Sequence, residues 1–486
     1  MTDTLPTYPQ TKESGVPWLG EIPAHWEVLP GFAGYRTKQV KNTGLIEDQV
    51  LSLSYGRIVI RPVEKLHGLV PASFETYQLV DPGNIIIRPT DLQNDWNSLR
   101  VGIARDKGII TSAYICLQTV GQMSSEYGYL LLNAYDLMKI FYGMGSGLRQ
   151  NLDYNSDLKR MPILLPPPDE QTAIARYLDY VDRRVRRYIK AKRRLIEVLT
   201  EQKQAIIHQA VTRGLDPDVP MKASGVAWLG QVPAHWEVGP LKRFVARRPG
   251  AIKAGPFGSQ LTAADMTGAD VKVYTQRNVI DRDLEKGVNY VSDTKFETMR
   301  AFEVFPGDVL VTSRGTIGRT ALVTENCQRG ILHPCLLRVH PDQGRLYHMY
   351  LMALIQDSQL LPQQLTLLSN ATTIDVIYSG TLANIIVPLP PIEEQQAIVR
   401  GIDARTASVS KAVTKAQYEI DLIREYRTRL IADVVTGKVD VRGAAAALGE
   451  DAGFDMSSAE QDEAWDEDAL DEEEAEDEEM GEEVEA

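Results

Sequence analysis

A duplication constrains this chain more than any other feature. Ser14-Gly-Val-Pro-Trp-Leu-Gly-Glu-Ile-Pro-Ala-His-Trp-Glu-Val28 returns as Ser224-Gly-Val-Ala-Trp-Leu-Gly-Gln-Val-Pro-Ala-His-Trp-Glu-Val238, with twelve of fifteen positions identical at an offset of 210. Leu165-Pro-Pro-Pro-Asp-Glu-Gln171 returns as Leu389-Pro-Pro-Ile-Glu-Glu-Gln395 at an offset of 224. The same 224 relates Pro82-Gly-Asn-Ile-Ile-Ile87 to Pro306-Gly-Asp-Val-Leu-Val311, and Val211-Thr212 to Val435-Thr436. The second half is thus 14 residues longer, and the extra length falls in the stretch corresponding to residues 28–82. A unit of some 200 residues far exceeds a solenoid repeat, so the chain must fold as two copies of one plan.

Each copy has two parts. The first is rich in short β-type runs, such as Asn84-Ile-Ile-Ile87, Val271-Lys-Val-Tyr274 and Asp308-Val-Leu-Val-Thr312, punctuated by Gly and Pro. Helical stretches follow near 127–141 and 346–356, so this part reads as an α+β domain. The second part is one long helix, opened by Pro and acidic residues (Pro168-Asp-Glu, Pro391-Ile-Glu-Glu), which suit the positive end of the helix dipole. Ile174, Leu178, Val181, Val185, Tyr188, Leu195, Leu199 and Ile206 follow 3/4 spacing in the first helix. Ile398, Ile402, Val409, Val413, Ala416, Ile420, Ile423, Leu430 and Val434 do so in the second, with one stutter. Each helix runs about 44 residues, roughly 66 Å, and an apolar seam of this spacing wants a helical partner. The expected fold is therefore α+β, with domains at 13–165 and 215–388 and long helices at 166–214 and 389–442. The helices pack as an antiparallel coiled coil that sets the domains at opposite ends.

Charge divides the chain differently. The 486 residues carry a net −14, but residues 443–486 hold 20 of the 66 acids and no Lys or Arg. That leaves 46 acids against 52 bases, a mildly basic body of +6 ahead of an acidic tail whose composition predicts disorder. Three cysteines without a CxxC pair make neither a disulfide framework nor a thiolate metal site, which fits a reducing cytoplasm. The N-terminus lacks the pattern of a signal peptide, and no apolar run is long enough to span a bilayer.

No phosphate-binding loop, HExxH, GxSxG or dinucleotide-binding glycine pattern occurs, nor the Asn/Asp-Pro-Pro-aromatic signature of amino-methyltransferases. A duplicated active site would leave a duplicated polar constellation, and comparison of the halves shows none. The Trp segments and helices repeat well while the loops diverge, as suits one scaffold with two recognition tasks. The repeated tryptophans Trp18, Trp26, Trp228 and Trp236 read as buried anchors, with His25 and His235 as hydrogen-bonded core residues. The divergent loops carry side chains that pair with base edges and phosphates. In the first half these are Arg57, Arg88, Gln93, Asn94, Arg149 and Gln150; in the second, Lys253, Ser259, Gln260, Gln276, Arg277, Asn278, Arg314, Thr316 and Asn370. Residues 183–194 hold eight positive charges in twelve positions and no acid, a block suited to a polyanion or an acidic partner.

The duplicated Gly-Val-x-Trp-Leu-Gly-x-x-Pro-x-His-Trp-Glu-Val segment resembles the specificity subunit of type I restriction–modification systems. So do the Pro-Gly-Asp-Val-Leu-Val-Thr-Ser-Arg-Gly-Thr-Ile-Gly run at 306–318 and the Leu-Pro-Pro-x-x-Glu-Gln that opens each long helix. The resemblance covers residues 14–442 and implies two target-recognition domains, each reading one half of a split site in double-stranded DNA, with the helix pair as the spacer ruler. It also implies a non-catalytic chain that binds no cofactor. Two modification (methyltransferase) subunits would use S-adenosylmethionine, and restriction subunits would use ATP and Mg to translocate and cut DNA. The long helices would dock the modification subunits, which gives Arg183, Arg184, Arg187 and Arg194 a second use besides DNA. The acidic tail departs from the family pattern. Two other readings stay open from the residues alone: a non-catalytic scaffold joining two protein partners, and an unrecognised DNA-modifying enzyme.

Overall fold

The structure, a computed structural model, describes residues 5–54, 56–62, 73–90, 92, 98–144, 151–368 and 376–448. These form two compact units, residues 5–192 with 418–448, and residues 193–417.

The first unit is built around an antiparallel four-stranded sheet with the spatial order Tyr35–Thr37, Ile115–Thr119, Ile85–Ile87, Val101–Ile103. Ile85, Ile86 and Ile87 are all buried, as a run of three isoleucines without polar alternation requires of a strand covered on both faces. Helix Ser125–Leu137 lies against this sheet, and its first turn is capped by the Ser124 hydroxyl, which accepts from the Tyr127 amide at 3.2 Å. The second unit repeats the sheet in the same order, with Ile252–Ala254, Leu336–Val339, Val309–Thr312 and Thr320–Leu322. Beside it lies a mixed sheet in which Val271–Tyr274 pairs parallel with Gly330–Leu332 and antiparallel with Tyr290–Val291, and Glu303–Val304 closes the other edge. In the first unit Gly108–Ile110 pairs antiparallel with Gln78–Val80, and Ile109 bridges parallel to Val50. The 14 additional residues of the second half fall within the segment that contributes Val271–Tyr274, Tyr290–Val291 and Glu303–Val304.

The repeated segments are repeated because they touch. The strand leaving each Trp motif pairs antiparallel with the strand entering each long helix, Glu27–Pro30 with Pro162–Leu165 and Glu237–Pro240 with Ile386–Leu389. Trp26 and Trp236 are buried at 0% and 1% exposure, as anchors should be. The histidines beside them depart from expectation: their side chains are 42% and 45% exposed and lie at the rim, because each reaches outward to a glutamate in the first turn of a helix. His25 Nε2 meets Glu170 Oε2 at 2.7 Å, and His235 Nε2 meets Glu394 Oε2 at 2.7 Å. The second oxygen differs between copies. Trp236 Nε1 donates to Glu394 Oε1 at 3.0 Å, whereas the Tyr8 hydroxyl takes that role on Glu170. The neighbouring glutamines are fully buried and tie the helix start to the domain. Gln171 accepts from the Ser124 amide and donates to the Gln122 and Pro166 carbonyls; Gln395 accepts from the Tyr347 amide and donates to the Arg345 and Pro390 carbonyls.

The long helices span Pro168–Arg213 and Ile392–Val435. Each ends on a left-handed glycine, Gly214 at φ +78° and Gly437 at φ +75°, the conformation that closes a helix without a Cβ penalty. In the first unit the start of the first helix and the end of the second lie on one core, where Ile174, Leu178, Leu430 and Val434 meet Trp26, Tyr127 and Tyr135. In the second unit the end of the first helix and the start of the second do the same, with Ile207, Val211, Ile398 and Ile402 against Trp236, Phe244 and Tyr350. The helices are thus antiparallel. A tyrosine hydrogen bond to a helix end also recurs: the buried Tyr127 hydroxyl donates to the Val435 carbonyl at 3.5 Å, and the Tyr350 hydroxyl to the Val211 carbonyl at 3.2 Å. Each domain therefore satisfies an end carbonyl of the other half's helix.

The contact stripe on the first helix differs from the sequence pattern in its middle. Tyr188 and Leu195 are exposed, at 40% and 42%. The shielded positions are instead 174, 178, 181, 185, 189, 192, 196, 199, 203, 207 and 210, ten steps over 36 residues. That is the 3.6 residues per turn of a straight helix rather than a 3.5 seam, so residues placed on a strict heptad drift out of the contact. On the second helix Thr406 is buried where the stutter had left Arg405. Gly401, the one glycine within either helix, sits where a Cβ would come within 2.5 Å of Leu215 Cδ1. The helical segment Arg442–Ala446, with Ala445 buried, extends past the boundary drawn at 442; the acidic residues from 450 onward lie outside the described residues.

Candidate nucleic-acid interface

In the second unit the divergent loops converge. The Gly255 amide donates to the Leu336 carbonyl, Ser313 to Cys335, His333 to Tyr274 and Ile377 to Ser313, all between 2.7 and 3.0 Å. Gln276 Nε2 donates to the Arg314 carbonyl at 3.0 Å. Segments 253–260, 275–278, 312–318 and 376–378 therefore form one continuous polar surface at the strand ends. Gly255 is required there, because a Cβ would fall 2.1 Å from the His333 carbonyl oxygen.

On this surface Ser259, Gln260, Arg277 and Arg314 are exposed, and Lys253, Gln276 and Thr316 are half-buried. Lys253 Nζ lies 4.8 Å over the Phe302 ring, and Arg277 Nε meets Asp281 Oδ2 at 3.1 Å. Gln260 accepts the Phe257 amide through Oε1. The Thr316 carbonyl accepts from the Thr312 hydroxyl. Asn278 is a correction: it is 5% exposed, and its amide group is used up inside the protein. Oδ1 accepts from the Thr275 amide and hydroxyl, and Nδ2 donates to the Asp283 and Lys286 carbonyls. It holds the loop rather than facing a ligand. Phe257, 79% exposed, and Tyr378, 67% exposed, lie on the same surface and are not among the polar residues that the loop composition singles out. The signal was there for Phe257, an apolar ring flanked by Pro256 and Gly258.

His333, beneath this surface, has its pKa pushed down to about 4 by burial. Its Nδ1 accepts the Cys335 amide at 3.3 Å, which places the ring proton on Nε2. Deeper, the Asp308 carboxylate of the Pro-Gly-Asp turn accepts the Phe305 amide at 2.7 Å and meets His340 Nδ1 at 2.5 Å. Asn84 makes the matching turn in the first unit, accepting the Asp81 amide at 2.9 Å and Lys38 Nζ at 3.1 Å.

In the first unit Arg88 is half-buried, and its backbone amide donates to the Arg100 carbonyl. Arg100 is fully buried and donates from Nη1 to the Thr90 carbonyl at 2.5 Å, while its amide donates to Asp136 Oδ2 at 2.6 Å. Burial pushes the Asp136 pKa up. Arg57 opens strand Arg57–Ile60 and is half-buried. Gln93, Asn94, Arg149, Gln150 and Asn370 lie outside the described residues.

The basic block divides by side. Arg183 pairs with Asp179 at 2.9 Å and Arg186 with Asp182 at 2.6 Å, so Arg183, expected to face a partner, is held within its own helix. Burial raises the Asp182 pKa, but the guanidiniums of Arg427 and Arg186 outweigh it and leave the carboxyl below its usual range. Arg194 pairs with Glu197. Arg184 and Arg187 are exposed, beside exposed Tyr188. Tyr418, Leu422 and Tyr426 of the second helix are exposed within the same unit. Among the described residues no group of three or more His, Cys, Asp or Glu side chains is placed to hold a metal, and no helix is long and apolar enough to cross a membrane.

Comparison with known proteins agrees with this architecture. Residues 269–417 match the family described as the type I restriction modification DNA specificity domain. The specificity subunit of type I restriction enzyme MjaVIII of Methanocaldococcus jannaschii is 23% identical over 366 residues, covering 74% of this chain and 81% of its own length. The putative MjaX specificity subunit of the same organism is 21% identical over 441 residues, covering 87% and 96%. A chain from a solved type I restriction–modification assembly superposes with a TM-score of 0.58 at 15% identity, over 86% of this chain and 99% of that one, and shares the fold. By these matches the chain resembles the specificity subunits of type I restriction–modification systems, and its residues 269–417 match that family's DNA specificity domain.

Proposed function

We propose that each globular domain reads one half of a split DNA site and that the helix pair sets the unread spacer between the halves. The observation that carries this reading is a scaffold duplicated down to single hydrogen bonds. The sheet order and the His–Glu–Gln lock recur, while the polar loops share no sequence. Scaffold identity with loop divergence is what two different readings by one plan require. In the second domain Arg314 and Gln276 supply donors that suit guanine and adenine edges, and Lys253 and Arg277 supply charge for phosphates.

The chain acts as an adaptor without catalysis and binds no cofactor itself. Modification subunits carrying S-adenosylmethionine dock on the helix pair, where tyrosine and arginine side chains stand exposed, the residue types favoured at the centres of protein interfaces. Restriction subunits supply the ATP- and Mg-dependent steps. The test is to map methylated adenines in cells carrying the chain, then exchange residues 29–160 for those of a relative. One half of the methylated site should change while the other half and the spacer persist. A change in both halves, or in neither, would overturn the reading.

A further inference from the structure

One stripe of the first long helix carries two exposed arginines, Arg184 and Arg187. Arg176, Tyr180, Arg184 and Arg187 follow 4, 4, 3 spacing and so share a face. Arg184 Nη1 donates to the Tyr180 hydroxyl at 2.7 Å, with its guanidinium 5.6 Å from that ring. Neither Arg184 nor Arg187 meets a carboxylate among the described residues, whereas Arg183 and Arg186, on the adjoining side, are both paired. The same stripe receives the end of the folded chain: Arg176 Nη2 donates to the Leu448 carbonyl at 2.7 Å. The tail therefore departs from the head of the stripe. It continues for 38 residues with 20 acids, 17 of them between Glu460 and Glu485.

We infer that residues 449–486 are an internal acidic ligand for the Arg176–Tyr180–Arg184–Arg187 face. Reach is ample: the twelve residues from Leu448 to Glu460 extend up to about 40 Å, against roughly 16 Å along the helix from Arg176 to Arg187. Tethering turns the contact into an intramolecular one at an effective concentration on the order of millimolar, so even weak pairing keeps the face covered. The attraction is between many like charges and few exposed partners, and it weakens with salt. Until a partner or duplex displaces it, the tail shields this arginine face from polyanions. The inference holds whether or not modification subunits dock on the helix pair.

Carbodiimide crosslinking of the full chain at low salt, read by mass spectrometry, tests it. Tail carboxylates should join Lys190, three residues from Arg187, and the yield should fall at least fivefold in Arg184→Gln/Arg187→Gln or at high salt. In parallel, a glutamate-specific protease should clip the tail several-fold faster in that variant than in the parent at low salt, with far-UV circular dichroism reporting that the helix persists. Crosslinks concentrated on Lys253 or Lys286 of the second domain, links to Lys190 that ignore the substitutions, or equal clipping rates would each overturn the inference.

Discussion

At the scale of single residues, exposure and hydrogen-bond satisfaction separate groups that face a ligand from groups that hold a loop. Arg314 and Asn278 look alike in sequence as polar loop residues, yet one is exposed and the other buried with both ends of its amide used. Replacing Arg314 with alanine should weaken binding to the cognate duplex by about 1–3 kcal/mol and relax one position of the second half-site, measured by titration against single-base variants. Asn278→Ala should instead lower unfolding stability by about 1–3 kcal/mol, since it strands buried donors and acceptors, and chemical denaturation reads that directly. His333 gives a pH signature. Its folded pKa of about 4 lies below the unfolded value near 6.5, so the unfolded state binds the extra proton between those values. Stability contributed by the neutral ring is complete above pH 6.5 and is lost as pH falls toward 4. His333→Gln should flatten that part of the stability–pH profile, measured by thermal unfolding across the range.

At the scale of elements, the long helices were legible from their Pro-acid starts and apolar spacing, and the strands from runs such as Ile85–Ile87 and Val309–Thr312. The middle of the contact stripe was not, because a heptad and a 3.6 period coincide over two turns and part over five. The two terminal glycines look equivalent in sequence and are not equivalent in space. At Gly437 an added Cβ would fall 2.3 Å from Pro23 Cδ, whereas at Gly214 the nearest atom is Trp236 Cζ2 at 3.3 Å. Gly437→Ala should therefore cost about 2–4 kcal/mol and Gly214→Ala about 1–2 kcal/mol, measured by urea unfolding. Equal costs would mean that the helix end can shift away from Pro23. Gly401→Ala should fail to deliver the roughly 1 kcal/mol that helix propensity favours, because Leu215 occupies the space.

At the scale of the whole molecule, charge matters by location rather than in sum. Duplex binding should weaken linearly in log affinity against log salt, with a slope near −0.9 per phosphate contacted. Arg277→Ala should reduce that slope while preserving sequence preference, as expected of a phosphate contact. Titration of the protein onto labelled duplex at several salt concentrations checks both. A salt-independent affinity would favour the protein-scaffold reading over the DNA-reading one.

The sequence by itself determined the duplication, the α+β and helical parts, the acidic tail and the polar character of the divergent loops. These follow from short-range pattern, where periodicity, caps and charge runs act within a few turns. Only the tertiary structure decided which half of each helix serves which domain, and why His25, Gln171 and their repeats recur. Those partners lie far apart in sequence, as in the bond from Tyr127 to Val435, 308 positions away. Which groups meet over such distances is chosen by packing and by the need to satisfy buried polar atoms. The same selection separated Arg184 from Arg183 and Arg314 from Asn278, neighbours in composition that burial assigns to different work.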